Sequence, residues 1–540
     1  MSRCALTAVL CLALSGLPAL AQATNAQDPA ATPAAPEGPP PVPLTLAEAV
    51  AMSLQNNLDI QTARITPRIR EQDIYFEEAA FDPNVGGFAE KQDNSTPTQN
   101  VFDIDPNDIP SQGLEVIQID ETLERYGAGF RDPVRWGGEY SADLFLTRRT
   151  STSANQLLPT TYFAAFVLAY NQSLLRGWGN EVNTTRITIA RTNLDISRSD
   201  FLGSVQDTLQ RTEDAYWELV FARQDLEVNL ESLRLAQQLL KLNRIKVQVG
   251  TLPPIEITTA DAEVASREQN VIVADNAVRN AEDTLRLVIN MPKTDDRWAR
   301  AIVPLDTPSY VERTVDLPRE MEQAIQERPD LQAARLQIDS NQTLLQFDRK
   351  QMRWDLNGYA RYQLSGLSGD IEDPIQLFPP PALPIPVQDQ DFVDALDFIP
   401  DRDFPSWTLG VTLSVPLGNN AAQASYVRSR LGVEQAESNY QARKLTAEVE
   451  VRTAARAIDT GRKRIQAAEK NVELQKKKVE AEQKKFENGM STSFQVLEFQ
   501  EDLTTALGQM NRALVDYRKS LTAMERAKGT LDEYLNVEVQ

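Results

Sequence analysis

Apolar residues recur at every seventh position along four long stretches of the chain. The stretches around Gly250 contain Leu219, Leu226, Leu233, Leu240 and Val247, then Ile257, Val264, Val271, Val278 and Leu285. Those around Gly489 contain Val451, Ile458, Ile465, Val472, Val479 and Phe486, then Val496, Leu503, Met510, Tyr517 and Met524. A strict seven-residue repeat is typical of long helices that supercoil left-handedly against their neighbours. The pattern therefore predicts two helical hairpins, and at 1.5 Å per residue the helix over 182–248 would be about 100 Å long.

Shorter segments alternate between apolar and polar residues with a period of two. In WTLGVTLSVPL (407–417) the apolar side chains are the odd-numbered ones, and in YSADLFLT (140–147) they are the even-numbered ones, with Phe145 as an exception. This alternation predicts strands with one apolar and one polar face. A soluble sheet that buries its apolar face is one interpretation, and the strands alone favour it. The other is a membrane β-barrel with lipid outside and water inside.

The chain repeats itself. NNLDIQTAR (56–64) matches ERPDLQAAR (327–335) at an offset of 271, and the agreement continues through the pairs Phe76/Phe347, Gly87/Gly358 and Ala89/Ala360. Further along, VQVGTLPPIEI (247–257) matches FENGMSTSFQV (486–496) at an offset of 239. A tandem duplication is therefore predicted, each half containing a helix, strands and two long helices. The expected division is a first repeat over 44–289, an equatorial connector over 290–318 and a second repeat over 319–540.

The N-terminal segment MSRCALTAVLCLALSGLPALAQA (1–23) has the basic start, apolar stretch and small-residue ending of a secretory signal peptide. A membrane anchor is the alternative for this stretch, but the apolar run is short; a lipid-modified Cys11 has too little apolar sequence before it. Residues 24–43 are rich in proline and alanine and predict an extended linker. With Thr45 as N-cap, a helix is then predicted to begin near Leu44.

Composition narrows the chemistry. The sequence has no histidine, and its two cysteines, Cys4 and Cys11, lie in the predicted signal peptide. The expected mature chain thus lacks disulfides, cysteine nucleophiles, histidine bases and the usual zinc ligands, and no cofactor is expected. With 55 basic against 77 acidic residues, the formal net charge of −22 argues against nucleic acid as a partner. No later segment has the roughly 18 uninterrupted apolar residues of a membrane-spanning helix.

Two strands in each half give about four per chain, which is too few to close a barrel. Open sheet edges are not stable in lipid, so strands in a membrane would have to be pooled by several copies. Residues 125–149 have no counterpart in the second half and predict an extra hairpin at Gly137-Gly138. That hairpin would either extend above a membrane or add strands to the sheet.

These features resemble the TolC-like outer-membrane efflux proteins. The likeness is carried by the doubled NNLDIQTAR/ERPDLQAAR segment, the strand end QSLLRG (172–177), and the motifs KVQVGTLPPIEI (246–257) and KFENGMSTSFQVLEFQ (485–500). It runs from about residue 44 to the C-terminus. Ser173, where the family usually has proline, and the stiff Pro253-Pro254 pair depart from the family pattern.

The resemblance implies an α+β membrane protein. Three identical chains would form a twelve-stranded outer-membrane β-barrel that continues into a long periplasmic α-helical barrel. It also implies a passive duct without enzymatic activity, working with a periplasmic adaptor and an inner-membrane transporter in efflux or type I secretion.

The resemblance places functional residues at the two helical turns. Contacts with the adaptor would come from Gly250, Thr251, Leu252, Gly489, Met490 and Ser491. A pore constriction would come from Glu256, Gln495 and Glu498, with glutamine standing where the family often has a carboxylate. Ordinary structural roles are the alternative, namely left-handed turn residues for the glycines and a solvated helix face for the glutamates.

Other candidates carry less weight. DIDPNDIPSQGLE (103–115) begins like a calcium loop but has Asp108 where glycine is needed and a displaced glutamate, so no metal site is expected. The acidic stretch from Asp389 to Asp403 predicts a surface loop. A periplasmic coiled-coil scaffold or adhesin without transport activity would explain the heptads but not matching strands in both halves. A carboxylate-based glycosidase would need paired acids in a concave pocket.

Overall fold

The computed structural model describes residues 40–97, 118–153, 156, 158–295, 297–370 and 389–537. The helices are α1 (Leu46–Asn56), α2 (Leu58–Glu78), α3 (Asn180–Asn183), α4 (Thr185–Gln248), α5 (Ile255–Ile289), α6 (Leu317–Glu327), α7 (Pro329–Gln351), α8 (Phe392–Asp401), α9 (Asn420–Glu487), α10 (Ser493–Lys528) and α11 (Leu531–Tyr534). The strands are β1 (Val42–Leu44), β2 (Asn84–Pro97), β3 (Gln118–Val134), β4 (Gly138–Ser151), β5 (Thr160–Ser173), β6 (Ile302–Pro304), β7 (Asp355–Asp370) and β8 (Pro405–Ser414). In this part of the chain no helix is long and apolar enough to cross a membrane.

The two halves place their first elements at the same 271-residue offset that the sequence shows. Helices α1 and α6 begin and end at equivalent positions, α2 and α7 begin at equivalent positions, and so do β2 and β7. Gln61 and Gln332, at equivalent positions, make the same hydrogen bonds. Gln61 Nε2 donates to the last carbonyls of α1, and Gln332 Nε2 donates to those of α6. Because a helix ends with carbonyls that lack intrahelical partners, this contact fixes the angle between consecutive helices in each half.

A second repeated contact docks each helix pair onto its long hairpin. Asn57 Nδ2 donates to Val288 O over 2.7 Å, at the end of α5. Its equivalent is Arg328, whose Nη1 donates to Ala527 O over 3.1 Å, at the end of α10. The side chains differ, but Ala527 follows Val288 by the same 239 residues that separate the two hairpins.

The heptad positions form the interior of the two hairpins. Leu219, Leu285, Val451, Ile465 and Tyr517 are all nearly inaccessible to solvent. The hairpins are α4 with α5 and α9 with α10, and α4 also packs against α10. Since α4 is 64 residues long, it spans about 96 Å at 1.5 Å per residue.

Near the middle of the helices, the segments that precede and follow the first repeat meet. Strand β1, which begins inside the segment expected to be a linker, pairs in parallel with β6 from the 290–318 region. Thr45 then caps α1 as expected, in a capping box with Glu48. Tyr216 of α4 lies beneath this pair and donates its hydroxyl to Asp306 Oδ2 over 2.6 Å.

Glu213, one turn before Trp217 on α4, is a buried carboxylate in this region. Its Oε1 accepts a 3.2 Å hydrogen bond from Trp217 Nε1. Burial raises the pKa of Glu213 above its ordinary value, and this outweighs the opposing effects of Thr522, Trp217 and Arg518. A raised carboxyl pKa means that the folded protein is destabilised by the charged form at neutral pH.

We therefore expect Glu213→Gln to raise the melting temperature at pH 7 to 8, because glutamine keeps an acceptor for Trp217 without a charge. The gain should shrink as pH falls, since Glu213 itself then becomes protonated and the variant no longer differs in charge. Circular dichroism melts of both proteins from pH 8 to pH 4.5 measure this. A loss of stability in the variant at pH 8 would contradict the assignment.

The larger sheet has six antiparallel strands in the order β2-β3-β4-β5-β7-β8. The expected count of about four strands was wrong. The segment around Gly137-Gly138 is a hairpin, as expected, and its strands β3 and β4 enter the sheet between β2 and β5. The expected and observed strand counts differ because β3 and β4 have the same alternating pattern in either arrangement. Their sequence does not show whether they join the sheet or pair only with each other.

Residues directly opposite one another in the sheet share a face, so the register assigns every side chain to one of two faces. The apolar face includes Val85, Phe130, Ala142, Leu168, Tyr362, Trp407, Leu409, Val411 and Leu413. The polar face includes Glu90, Arg125, Ser141, Asp143, Asn171, Arg361, Gln363, Thr408 and Thr412, and its apolar exceptions include Phe88, Leu123, Phe145, Phe163, Val167, Tyr359 and Leu367. Trp407, Leu409, Val411 and Leu413 of the edge strand β8 are all more than half exposed in the single chain.

The stretch from Asp389 to Asp403 is not the loop that its acidic residues and Pro400 suggested. It contains α8, which begins with a capping box between Asp391 and Asp394. The helix lies on the apolar face, where Phe392 packs edge-to-face against Tyr126 and Tyr162. The calcium-like segment 103–115 lies outside the described residues.

Candidate functional site

The helical turns farthest from the sheet have the same backbone conformation in both halves. Gly250 has φ +77° and Gly489 has φ +74°, the left-handed conformation that glycine adopts without strain. The N–H of Thr251 bonds to Lys246 O, and the N–H of Met490 bonds to Lys485 O, both over 2.9 Å. These bonds satisfy the last carbonyls of α4 and α9, as in a Schellman cap.

The residues proposed to contact an adaptor differ in accessibility. Thr251 and Met490 are exposed, and Met490 has 71% of its surface free. Leu252 is half-buried and packs into the apolar cluster of the tip. Ser491 is half-buried, and its hydroxyl donates to Glu482. Only part of the proposed set therefore presents a free side chain.

A contact between the two hairpins joins the tips, and sequence reasoning missed it. Phe486, at the end of α9, has only 2% of its surface exposed and packs among Leu240, Val264 and Val496. Lys246 Nζ lies 4.0 Å from the centroid of the Phe486 ring and donates to Phe486 O over 3.3 Å. The signal in the sequence was Phe486 as the last heptad residue; its partner comes from the other half of the chain.

The three proposed constriction residues have different surroundings. Glu256, at the start of α5, accepts a hydrogen bond from the Ser493 hydroxyl at the start of α10. Gln495 Oε1 lies 2.9 Å from Ser491 Oγ, and both Gln495 and Glu498 are exposed. Glu256 thus bonds to the first residue of the helix that carries Gln495 and Glu498.

Glu498 lines an open groove between α5 and α10 with two other acids, Glu263 and Glu501, and with Phe494. Arg267, from the α5 side, is 2.5 Å from Glu263 and 3.5 Å from Glu501. Within the described ranges no group of three or more carboxylates is placed to hold a metal ion.

Glu482 is a further buried carboxylate at the tip that the sequence did not single out. The Ser491 hydroxyl and the Lys485 ammonium, 2.9 Å away, hold the pKa of Glu482 below its ordinary value. An ionised Glu482 thus ties the turn residue Ser491 to the end of α9, and this contact stiffens the tip of the second hairpin.

The fold is that of a known class of outer-membrane channels. Solved structures with the same fold include the CmeC outer membrane channel of Campylobacter jejuni, at 17% identity and TM-score 0.60, covering 90% of this chain and 86% of that one. VceC of Vibrio cholerae is similar at 13% identity and TM-score 0.60, covering 90% and 96%. The MtrE channel of Neisseria gonorrhoeae is similar at 13% identity and TM-score 0.59, covering 90% and 89%.

The family follows from the sequence profile that this chain matches. Residues 148–291 and 321–530 match the outer membrane efflux protein family, and the chain belongs to that family. Comparison with curated protein sequences found no match. The protein is accordingly an outer-membrane efflux protein of the Gram-negative envelope, with its helical portion in the periplasm.

Proposed function

We propose that three copies of this chain form a passive duct across the outer membrane and the periplasm. A periplasmic adaptor would dock at the tips, and an inner-membrane transporter would supply both the cargo and the energy. The observation that carries this proposal is the internal symmetry of the chain, because the pairing of β5 with β7 and the contact of α4 with α10 have exposed equivalents at the outer surfaces of the described chain.

The sheet is the first place where a neighbour is needed. Within the chain, β5 of the first half pairs with β7 of the second. The equivalent strands at the outer edges are β8 and β2, whose residues are almost all exposed. Because the six strands alternate in direction, β8 of one copy is antiparallel to β2 of the next, so a ring of copies closes without an edge. A scaffold without a membrane partner would leave these edges open to aggregation.

The long helices also have an exposed surface where a neighbouring copy would fit. Within the chain, Arg526 of α10 contacts Asp207 of α4, with 2.6 Å between Nη2 and Oδ1. At the offset of 239, the equivalent residues are Leu287 of α5 and Thr446 of α9. Leu287 is 77% exposed, and Leu445, beside Thr446, is 63% exposed. An exposed leucine at one equivalent position and another beside the second fit an apolar contact between neighbouring copies.

The tips would then form a ring at the periplasmic entrance. Repetition around the axis would turn Glu256 and Glu498 each into a ring of carboxylates, which is how many pores select cations. The acidic groove of Glu263, Glu498 and Glu501 lies on the same part of α5 and α10. The exposed Thr251 and Met490 would face the adaptor.

The proposal is tested by single-channel recording in planar bilayers. We expect small, cation-selective openings from the detergent-extracted oligomer, with reduced cation selectivity in Glu256→Gln and Glu498→Gln. Ser493→Ala, which removes the hydroxyl bonded to Glu256, should lengthen the openings if that contact holds the tips together. Glu434→Gln, an exposed glutamate of α9 far from the tip, is the matched control. A well-folded oligomer that never conducts would overturn the duct.

A further inference from the structure

Four long helices connect to strands of the six-stranded sheet, and the helices follow the same order as the strands to which they connect. Helix α2 leads into β2, β5 leads into α3 and α4, α7 leads into β7, and β8 leads into α9. Ion pairs join neighbouring helices just beneath the sheet: Arg191 to Glu78 over 2.9 Å, and Lys350 to Glu181 over 2.6 Å. The hairpin of β3 and β4 is the part of the sheet with no helix of its own.

The hairpin makes the sheet about as wide as the helical layer. A strand tilted by about 40° with about 4.8 Å spacing occupies roughly 6 Å of circumference, so six strands span about 38 Å and four only about 25 Å. Four helices packed about 8–10 Å apart span roughly 32–40 Å. Six strands therefore continue the helical wall without a taper, which four strands would not.

The turn of the hairpin is fixed at the junction between sheet and helices. Trp136 O accepts a 3.2 Å bond from Gly179 N, and Gly137 O accepts a 3.1 Å bond from Ser173 N. On the other side, the Arg135 guanidinium lies 5.8 Å from the centroid of the Phe81 ring, just before β2. Gly137 has φ +90°, and a Cβ there would be 2.1 Å from Gly177 O, so the close approach requires glycine.

The two faces of β4 continue those of the other strands. Ala142, Leu144 and Leu146 are on the apolar face, whereas Ser141 and Asp143 are on the polar face. The apolar part of β4, residues 138–146, is close to the roughly 9–11 residues with which a tilted strand crosses a membrane.

Beyond this level both faces become charged. Glu124 lies 3.5 Å from Arg148 on the face of Leu146, and Arg149 pairs with Glu121 on the polar face. Charges on the lipid side of a barrel are destabilising unless they lie outside the hydrocarbon. The boundary between Leu146 and Arg148 thus places the far ends of these strands above the lipid.

We propose that β3 and β4 are membrane-spanning strands that enlarge the exit of the duct to an eighteen-stranded barrel. This inference rests on the trimer proposed above. Eighteen strands give a backbone diameter of about 36 Å, against about 24 Å for twelve. The outer membrane is then no longer a narrow point of the duct, and the size of the cargo is limited at the tips alone.

Accessibility along β4 tests the inference. Spin labels on single cysteines at Ala142 and Leu144, which lie below the level that α8 covers, should collide preferentially with oxygen dissolved in lipid. Labels at Ser141, Asp143 and Thr147 should collide with a water-soluble nickel complex. Strand β7 is the matched control, with Ala360 and Tyr362 on the lipid side and Arg361 and Gln363 on the water side.

Alternation in both strands supports the eighteen-stranded barrel. Alternation in β7 with both faces of β4 in water would overturn this inference and leave the duct intact. Loss of alternation in both strands would overturn the duct as well. As a second readout, neutral polymers about 20 Å across, added on the outer side only, should enter the exit and lower the conductance. Exclusion of polymers of this size would also overturn the wider barrel.

Discussion

Replacing Leu287 by arginine should break the trimer into smaller species. The side chain would lie at the seam between α5 of one copy and α9 of the next, where an unpaired charge is removed from water. Such a charge costs on the order of 3 kcal/mol, and the trimer contains the seam three times. Mass photometry or sedimentation of the detergent-solubilised protein, at fixed concentration, measures the loss.

The chain supplies the matched control for this variant. Leu287→Arg combined with Thr446→Asp copies the internal pair of Arg526 and Asp207 onto the seam and should restore the trimer. Thr446→Asp alone should have a smaller effect than Leu287→Arg, because residue 446 is already polar. A trimer that withstands Leu287→Arg would show that α5 and α9 do not meet between copies, and the proposed assembly would have to be abandoned.

Replacing Arg328 by alanine should cost about 3 kcal/mol of unfolding free energy, because breaking a buried ion pair leaves its partners uncompensated. Arg328 has 4% of its surface exposed, and its guanidinium bonds to Asp330 through Nε and Nη2, each over 2.9 Å. Its Nη1 reaches Glu450 over 2.6 Å as well as Ala527 O. Since both carboxylates are partly exposed, the loss should stay at the lower end for a buried pair.

The repeat again provides the comparison. Arg328→Asn installs the residue found at the equivalent position 57, which can still donate to Ala527 O, and it should lose less stability than Arg328→Ala. Asn57→Ala should cost about 1 kcal/mol, because it removes the cap of α2 and the bond to Val288 O. Chemical denaturation followed by circular dichroism at 222 nm gives the unfolding free energies of the three variants. An Arg328→Ala variant as stable as the parent would mean that these bonds do not hold the second hairpin.

Lowering the pH should weaken the ion pair between Arg328 and Asp330. Burial alone would raise the pKa of Asp330, but the hydrogen bonds and charge of Arg328 outweigh it and hold that pKa below its ordinary value. A lowered carboxyl pKa contributes stability that is complete above the unfolded pKa and is lost as pH falls through the folded one. The stability difference between the parent and Arg328→Ala should therefore narrow below about pH 4.

Local periodicity by itself determined much of this protein. Seven-residue spacing marked the interiors of the long helices, since Leu219, Val451 and Tyr517 are buried where the pattern placed them. The 271-residue offset predicted equivalent helix and strand starts in the two halves. Gly250 and Gly489 marked the turns, because only glycine takes a left-handed conformation there without strain. Each of these signals depends on neighbours a few residues apart along the chain.

Only the tertiary structure decided which distant elements meet. It put β3 and β4 between β2 and β5, made a helix of the acidic stretch that contains Phe392, and brought Lys246 to Phe486. It also bonded Glu256 of α5 to Ser493 of α10 and set Glu498 in a groove with Glu263 and Glu501. A strand has the same alternation whichever strand it pairs with. The sequence around Lys246 likewise does not indicate that its ammonium group will lie over the ring of Phe486. These contacts are selected by the packing of whole elements, so they follow from the folded chain and not from its local pattern.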